Sequence, residues 1–497
     1  MLGTSISAIH TGLMPEVIRV EADVSGGFPR FSIVGLPDSA ITESKLRIRS
    51  AFRNSGLPFP QGRITVNLTP ANFRKRGSGL DLAMAIAILR AAAILPADDG
   101  TTAFLGELRL SGELAPVETA VSLALRLQAA NVERLVLAER QVVPPELAKY
   151  MQTIPAVKLT DVIAILTTST HVNHVTPSVS VPPHDAKHET DLQPGLAALD
   201  GIRGKTAEKR LLAISAAGRL PLLLIGPPGI GKTLLATHLV DLFPDLDART
   251  ALATLAIREL TGPAGHLYRR PPLRMPHHSL TVAGLIGGGN PPQPGEVTLA
   301  SEGVLLLDEL FEFQRATLDA LREPLTHHQV HLARAGRSAT LPANFLLVAT
   351  ANPCPCGQRG YGECRCMESD VRRYWSRLSG PLADRIPLIV YLNRQPTTPV
   401  PPALDVSAQT LQARVQHARE QLDQSEDDTP SEPPFPRWLD DTAAAFLRKV
   451  NERILTSERA RQQALRIART ISALEGRETV LKIDIEEAVL LRSHAHM

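Results

Sequence analysis

The sequence predicts an α/β protein whose central part folds around a parallel sheet. Four short apolar runs in the middle of the chain alternate with helical patterns, an order typical of a parallel sheet covered by helices. The first run leads directly into a glycine-rich loop that fits G-x-x-x-x-G-K-[ST], and a helical pattern follows that loop. The four runs are Leu222–Ile225, Val304–Leu307, Phe345–Thr350 and Ile386–Leu392.

The chain of 497 residues is long enough for about three domains, each with its own core. Two polar, proline-bearing stretches separate three globular segments. We predict a mixed α+β domain, a linker, the α/β core, a second linker with a short helix near 408–424, and a C-terminal helical domain. Their respective bounds are 1–165, 166–190, 191–395, 396–436 and 437–497.

Within the first segment, strand-like and helix-like patterns are mixed, which predicts an α+β or α/β domain. The predicted strands are 6–8, 17–22, 31–34, 64–68 and 135–137, and the predicted helices are 39–54, 80–93 and 116–129.

Charge is nearly balanced, with 53 basic and 51 acidic residues, so the composition neither indicates nor excludes a nucleic-acid partner. The N-terminus lacks the basic region and apolar core of a signal peptide. The longest apolar stretch, Leu82–Pro96, contains Arg90 and is too short to span a bilayer, which favours a buried helix. We therefore expect a cytoplasmic protein without a membrane partner.

The glycine-rich loop has the pattern of a phosphate-binding loop. Glycines allow backbone N–H groups to close around a triphosphate, and the following helix adds a favourable dipole. Lys232 is expected to reach the β- and γ-phosphates, and Thr233 to hold Mg²⁺. The alternative is a glycine-rich turn before a helix. The predicted ATP-binding residues are Gly226, Pro227, Pro228, Gly229, Ile230, Gly231, Lys232 and Thr233.

Two further strand ends carry polar residues that suit the same site. Asp308 and Glu309 follow the run Val304–Leu307. Asp308 is expected to act on the Mg²⁺ shell, and Glu309 to orient and deprotonate the attacking water. Asn352 follows the next strand and can hold the same water in line. Taken singly, each of these residues could equally belong to a solvated turn or a cap.

All four cysteines of the chain lie within thirteen residues: Cys354, Cys356, Cys364 and Cys366. This grouping argues against a dispersed disulfide framework. Four soft thiolates on one loop suit a tetrahedral, structural Zn²⁺ site, and intervening glycines let the loop curl around the metal. Free thiols or a redox disulfide pair are the alternatives.

These motifs together resemble AAA+ ATPases, and more narrowly the magnesium-chelatase-like group that includes the ComM/YifB family. The resemblance extends over nearly the whole chain and implies a homo-hexameric ring with a helical lid at 437–497. Further matching stretches are Pro276–Ser279, Gly284–Gly289, Pro294–Ala300, Leu321–Leu325, Asn352–Gly357 and Gly380–Ile386.

The resemblance also implies roles for single residues. Asn352 corresponds to the first sensor, and Arg385 to an arginine finger that reaches into a neighbouring subunit. Arg459 corresponds to the second sensor, supplied by the lid. In the alternative interpretation both arginines belong to the surface.

The N-terminal segment resembles the proteolytic domain of Lon proteases, which use a serine nucleophile activated by a lysine. The nucleophile position falls on Gly79 and the lysine position on Val121. Ser78 is one residue away, and no lysine lies between Lys75 and Lys149. We therefore predict a Lon-protease-like α+β domain without the catalytic dyad.

Two basic stretches, Tyr268–Arg274 and His331–Arg337, resemble loops that face the central channel of such rings. Loops of this kind can follow a phosphate backbone, although a solvated charged surface is the alternative. The resemblance implies a DNA helicase that migrates branches during natural transformation or recombination. Its expected partners are single-stranded or branched DNA and recombination proteins. The alternative is a chelatase-like ATPase that remodels a protein partner for metal insertion.

Overall fold

A computed structural model describes residues 2–167, 195–202, 205–262, 267–289, 292–334, 337–392, 407–424, 438–453 and 457–493. The chain divides into two units. The first comprises the described parts of 1–186, 247–268 and 290–293, and the second those of 187–246, 269–289 and 294–497. The predicted linker 166–190 lies almost wholly outside the described residues, as do both flanks of the second predicted linker.

In its described residues, the first unit has a mixed sheet and five α-helices. Its strands are β1 (Leu2–Thr11), β2 (Met14–Ser25), β3 (Arg30–Val34), β4 (Arg63–Thr69), β5 (Thr102–Leu105), β6 (Glu107–Leu108), β7 (Leu114–Ala115), β8 (Arg134–Ala138) and β9 (Gln152–Ala156). Its helices are α1 (Ser39–Asn54), α2 (Asp81–Ala91), α3 (Ala120–Gln128), α4 (Leu159–Thr167) and α8 (Ala248–Glu259), with a 3₁₀ turn at Pro145–Lys149.

The seven-stranded sheet of this unit has the order β3-β4-β2-β1-β5-β8-β9. Strands β1 and β2 form a long antiparallel hairpin whose turn contains Gly12 at φ +70°. Glycine adopts this left-handed conformation without a steric penalty. Helix α2 packs on the hairpin, and all eleven of its residues are buried. The buried helix predicted from the apolar stretch is therefore confirmed.

Helix α3 begins four residues later than the sequence predicts. The expected helix 116–129 is wrong at its start, because Thr119 adopts φ +56° and the N–H of Val117 donates to the Gln141 side chain at 2.7 Å. Helical backbone begins only at Ala120. The strands β5 and β9 were also not predicted.

Helix α8 belongs to the first unit although the chain on both sides of it belongs to the second. Its apolar residues Leu252 and Leu255 lie in one buried cluster with Val121 of α3. The Glu259 carboxylate accepts the N–H groups of Val121 at 3.2 Å and Ser122 at 2.9 Å. These bonds satisfy two of the donors that every helix start leaves without an intrahelical partner. Burial raises the pKa of Glu259.

The second unit contains a five-stranded sheet in the order β11-β14-β17-β10-β18, which confirms the predicted parallel sheet because every recorded pairing in it is parallel. The strands of the unit and of the chain around it are β10 (Leu222–Ile225), β11 (Leu273–Arg274), β12 (Gly287–Gly288), β13 (Gln293–Pro294), β14 (Val304–Leu307), β15 (Gln329–Arg334), β16 (Arg337–Pro342), β17 (Leu346–Ala351) and β18 (Leu388–Tyr391).

The helices of the second unit cover both faces of this sheet. They are α5 (Leu196–Gly201), α6 (Thr206–Gly218), α7 (Lys232–Thr237), α9 (Val282–Ile286), α10 (Glu296–Leu299), α11 (Arg315–Asp319), α12 (Pro324–His327), α13 (Glu368–Trp375), α14 (Gly380–Ala383), α15 (Ala408–Asp423), α16 (Asp441–Arg453), α17 (Glu458–Leu474) and α18 (Lys482–Ser493). Single 3₁₀ turns lie at His238–Leu242, Leu310–Glu312 and Ala320–Arg322.

Strand β10 shows why its sequence is continuously apolar. Leu222 and Leu224 belong to one buried cluster, and Leu223 and Ile225 belong to another on the opposite face. A strand covered on both faces has no polar side.

The helix expected near 408–424 is present as α15, and Ser407 caps it by accepting the N–H of Thr410 at 3.3 Å. Its buried residues share a cluster with α6 and α17. Within the described residues, no helix is both long enough and apolar enough to cross a membrane.

Candidate nucleotide site and cysteine cluster

The glycine-rich loop joins the end of β10 to the start of α7. Gly229 and Gly231 adopt φ of +78° and +93°, which explains why the loop needs glycine at these two positions. The N–H of Gly226 donates to the carbonyl of Ala351 at 3.2 Å, so the start of the loop is fixed to the neighbouring strand β17. Helix α7 begins at Lys232, as the phosphate-binding pattern predicts.

Lys232 connects the loop with the end of β17. Its Nζ donates to the carbonyls of Gly226 at 2.7 Å and Pro227 at 3.0 Å, and to Oδ1 of Asn352 at 2.9 Å. These three bonds use all three donors of an ammonium group. Burial lowers the pKa of Lys232, and the nearby Asp308 and Glu309 act in the opposite direction. A phosphate oxygen would offer this ammonium a stronger acceptor than a carbonyl.

Thr233 and Asp308 lie side by side at the expected metal position. Oγ1 of Thr233 donates to Oδ1 of Asp308 at 2.9 Å. Oxygen ligands of this kind are those that Mg²⁺ prefers, and the two residues therefore suit a Mg²⁺ ion bound with phosphates.

Thr350, which the sequence interpretation did not single out, holds both acidic residues. It is fully buried on β17; its hydroxyl donates to Oδ1 of Asp308 and accepts the N–H of Glu309 at 3.1 Å. Glu309 adopts φ +54°, a conformation that costs a side-chain-bearing residue about 1 kcal/mol or more. The hydroxyl of Thr350 therefore stabilises a strained turn at which the Glu309 side chain is exposed.

Tyr374, a second residue that the sequence did not indicate, contacts the backbone of Asn352. The Tyr374 hydroxyl hydrogen-bonds the backbone of Asn352, and burial followed by the charge of Glu312 raises the pKa of Tyr374 to about 12. The backbone hydrogen bond itself acts in the opposite direction and lowers this pKa, because the N–H of Asn352 donates to the tyrosine oxygen. No local motif marks this residue, since it follows Asn352 by more than twenty positions.

Arg385 and Arg459 lie near each other. Arg385 is half-buried, and it donates to Oγ1 of Thr326 at 2.8 Å and to the carbonyl of Pro381 at 2.6 Å. Arg459 is exposed in the first turn of α17. Burial lowers the pKa of Arg385, and the positive charges of Arg459 and Arg322 lower it further. The structure thus places both predicted arginines in one positively charged group, and their described contacts are with residues other than the phosphate loop.

The four cysteines converge as a tetrahedral metal site requires. Their sulfurs all lie within 4.8 Å of one another. Cys354 Sγ lies 3.4 Å from that of Cys356 and 3.7 Å from that of Cys364, and the last two sulfurs are 3.7 Å apart. A tetrahedron with Zn–S bonds of about 2.3 Å has edges of about 3.8 Å, so four soft donors here fit zinc in both type and spacing.

Backbone N–H groups favour a thiolate at one member of this cluster, Cys356. Hydrogen bonds from the backbone of Gln358, then of Arg365, lower the pKa of the Cys356 thiol to about 6. The N–H of Cys356 donates to Sγ of Cys366 at 3.4 Å. Although a backbone hydrogen bond lowers the pKa of Cys364 and of Cys366, burial and the neighbouring cysteines raise both, that of Cys366 to about 12. The preference for a thiolate is therefore confined to Cys356.

The first predicted basic stretch is largely neutralised. Arg274 forms a bidentate pair with Glu296 at 2.7 and 2.8 Å, and Arg270 pairs with the buried Asp241. His277 is exposed and His278 is half-buried, and their ring centroids lie 4.0 Å apart with the ring planes tilted by 35°. The second stretch forms the antiparallel hairpin β15–β16, in which Arg334 pairs with Arg337 in register. The side chains of these two arginines lie outside the described residues.

The residues at and near the positions that correspond to the Lon serine–lysine dyad make contacts that do not form a serine–lysine pair. Ser78 donates to Glu107 at 2.6 Å, and the Val121 N–H is bound by Glu259. A Cβ at Gly79 would lie 3.3 Å from Cγ1 of Val117. The Lys75 ammonium, the nearest lysine in sequence, binds backbone carbonyls of Pro70 and Phe73.

Three family models match consecutive parts of the chain. The model described as magnesium chelatase, subunit ChlI, matches residues 198–399. The model for subunit ChlI of Mg-chelatase matches 20–141, and that for the C-terminal part of magnesium chelatase subunit ChlI matches 405–492.

Relatives match over almost their full length. YifB of Escherichia coli is 36% identical over 507 residues, which cover 98% of this chain and 97% of the relative. The competence protein ComM of Haemophilus influenzae is 34% identical over 499 residues, with 98% and 96% coverage. A protein of Mycobacterium tuberculosis is 35% identical over 493 residues, with 96% and 95% coverage. The chain therefore belongs to the magnesium-chelatase-like AAA+ family that contains YifB and the competence protein ComM.

Proposed function

We propose that the protein is an ATP-hydrolysing DNA motor that forms a homo-hexamer and migrates DNA branches in natural transformation or recombination. The observation that carries the ATPase part is the set of side-chain contacts among Lys232, Asn352, Thr233 and Asp308 at the carboxyl edge of one parallel sheet. The similarity to the competence protein ComM supports the DNA-related part.

In this proposal the residues of the loop divide the work of hydrolysis. Lys232 exchanges its loop carbonyls for phosphate oxygens, and Thr233 with Asp308 would hold Mg²⁺, which would supply positive charge beside the phosphates. Glu309 takes a proton from the attacking water, and the Asn352 amide keeps that water in line. The strained turn stabilised by Thr350 sets the position of the Glu309 carboxylate.

Arg385 completes the site of a neighbouring subunit, and Arg459 acts as a sensor of nucleotide from the helical segment 437–497. Arg385, Arg459 and Arg322 lie close enough to repel one another, and Asp384 offsets part of this positive charge; a group of arginines of this kind suits a phosphate. Hydrolysis then requires a ring, since each site depends on an arginine from the next subunit.

The cysteine cluster holds a structural Zn²⁺ through Cys354, Cys356, Cys364 and Cys366. Four protein ligands close the coordination sphere, so the metal organises the loop and takes no part in hydrolysis. For the segment 1–165 we propose no proteolysis, because Gly79 and Val121 stand at the positions that correspond to the serine and the lysine of Lon proteases. The hairpin β15–β16 is the surface that we propose contacts the DNA backbone, through charge rather than base sequence.

The deciding experiment is ATP-dependent branch migration on a labelled three-strand DNA junction, with Lys232→Ala as the control. We expect product from the wild-type protein and none from the variant. ATP hydrolysis without branch movement and without stimulation by DNA would refute the DNA motor. That result would favour remodelling of a protein partner, the role that the family models named for a chelatase subunit suggest.

A further inference from the structure

The cysteine loop touches the phosphate loop through Gly357. Gly357, which follows Cys356, is buried against Pro228. A Cβ at position 357 would lie 2.6 Å from Cδ of Pro228, closer than real Cβ atoms approach, and 3.0 Å from its Cγ. The bare backbone of the cysteine loop therefore forms a wall against which the proline ring of the phosphate loop rests.

The position of this wall depends on the cysteines. The N–H of Gly357 donates to the carbonyl of Cys354 at 2.9 Å, and Cys354 is fully buried. Just before it, the carbonyl of Pro353 accepts the indole N–H of Trp375 at 3.0 Å. A metal ion held by Cys354 and Cys356 would fix the backbone at both residues. Gly357 would be fixed as well, because it follows Cys356 and its N–H donates to the carbonyl of Cys354.

The phosphate loop can gain from such a contact because open space surrounds its two left-handed glycines. A Cβ at Gly229 or at Gly231 would meet no heavy atom within 4 Å. Glycine segments lose the most conformational freedom on ordering. A fixed contact on Pro228 restricts the loop before nucleotide binds, so that less conformational entropy is lost on binding. Preorganisation of this kind raises the affinity for the ligand.

We propose that Gly357 is a positioning residue through which metal bound at the cysteine cluster raises the affinity of the phosphate loop for nucleotide. The inference rests on the proposed function, since it requires that the loop bind nucleotide. Coupling between two binding sites is reciprocal, so nucleotide must also retain the metal. A role in structural packing alone would not produce this reciprocity.

The chain offers a matched pair of glycines for the test. Gly360 lies in the same loop at φ +79°, close to the +76° of Gly357, but a Cβ there meets nothing within 4 Å. Gly357→Ala and Gly360→Ala therefore introduce the same backbone strain, and only the former collides with Pro228. Any difference between the two variants reports the contact itself.

The experiment uses the zinc-loaded full chain and a fluorescent ADP derivative. We expect Gly357→Ala to weaken ADP binding by about tenfold, within the usual range of coupling between sites, while zinc content and melting temperature match those of Gly360→Ala. Wild-type protein stripped of zinc should show the same weakened binding. In the reciprocal measurement, ADP should slow zinc transfer to a chromogenic chelator in wild type and Gly360→Ala, and have little effect in Gly357→Ala.

Equal ADP affinity of the two variants, or zinc release that ADP does not slow in wild type, would overturn the inference. Purified protein that holds no zinc would overturn it as well. Failure of the zinc-loaded wild type to bind ADP at all would instead refute the proposed ATP site. The two failures are therefore distinguishable.

Discussion

Replacing Thr350 by valine tests whether one hydroxyl positions both acidic residues of the candidate site. The hydroxyl donates to the Asp308 carboxylate and accepts the Glu309 N–H. Hydrogen bonds to charged groups contribute about 1.5–3 kcal/mol and neutral ones about 0.5–1.5 kcal/mol, so Thr350→Val removes about 2–4 kcal/mol of positioning. Valine has nearly the same shape as threonine, so packing in the buried strand is kept.

We expect kcat for ATP hydrolysis to fall about 30-fold or more, because about 2 kcal/mol in the barrier corresponds to that factor. The KM for ATP should change far less, since the contacts of Lys232 are untouched. Thr350→Ser keeps the hydroxyl and loses only a methyl group, and it should restore kcat to within about fivefold of wild type. Steady-state ATPase assays on both variants give the answer. Equal rates for valine and serine would show that the hydroxyl does not position the site.

Further predictions concern three other residues. Arg385→Ala should bind ATP normally and lose hydrolysis, measured by nucleotide titration and phosphate release; normal turnover would remove its assignment as the finger in trans. Cys354→Ser should lower zinc from about one ion per chain to well below that in metal analysis, and a metal-free wild type that is fully active would contradict the structural site. Glu259→Gln should destabilise the first unit by about 1–2 kcal/mol in urea, because it weakens the bonds to two helix-start N–H groups. Burial raises the folded pKa of Glu259 above its ordinary 4.5, so the native state holds a proton that the unfolded chain has released, and wild-type stability should fall as pH rises through that interval. The glutamine variant should lack this dependence, and identical pH profiles would show that Glu259 does not titrate in this way.

The parallel sheet and the phosphate loop were predictable because they rest on local patterns. A buried parallel strand needs a continuous apolar run, and the loop needs glycine at its left-handed positions. The carboxyl ends of parallel strands meet at one edge, so the approach of Asn352 to Lys232 followed from the same patterns. Their catalytic roles remain predictions.

What the sequence could not show depends on contacts between distant residues. In the sequence Thr350 has the pattern of an ordinary strand residue. Only the structure shows that its hydroxyl hydrogen-bonds both Asp308 and Glu309. Arg274 reads as part of a basic patch, although Glu296 pairs with it. Thr119 adopts a left-handed conformation, which sequence reasoning expects mainly at glycine. The predicted start of α3 is wrong for this reason.

The way helix α8 is placed has a consequence for dissecting the protein. Because this helix is covalently part of the ATPase segment yet packs in the core of the first unit, neither unit corresponds to a contiguous stretch of gene. A fragment that ends before residue 187 would leave Val121 without the apolar contact that Leu252 provides. The complementary fragment would expose the apolar face of helix α8 to solvent. Gene fusions or deletions that exchange the N-terminal part as a cassette therefore have to carry residues 247–262 with it, inserted far downstream.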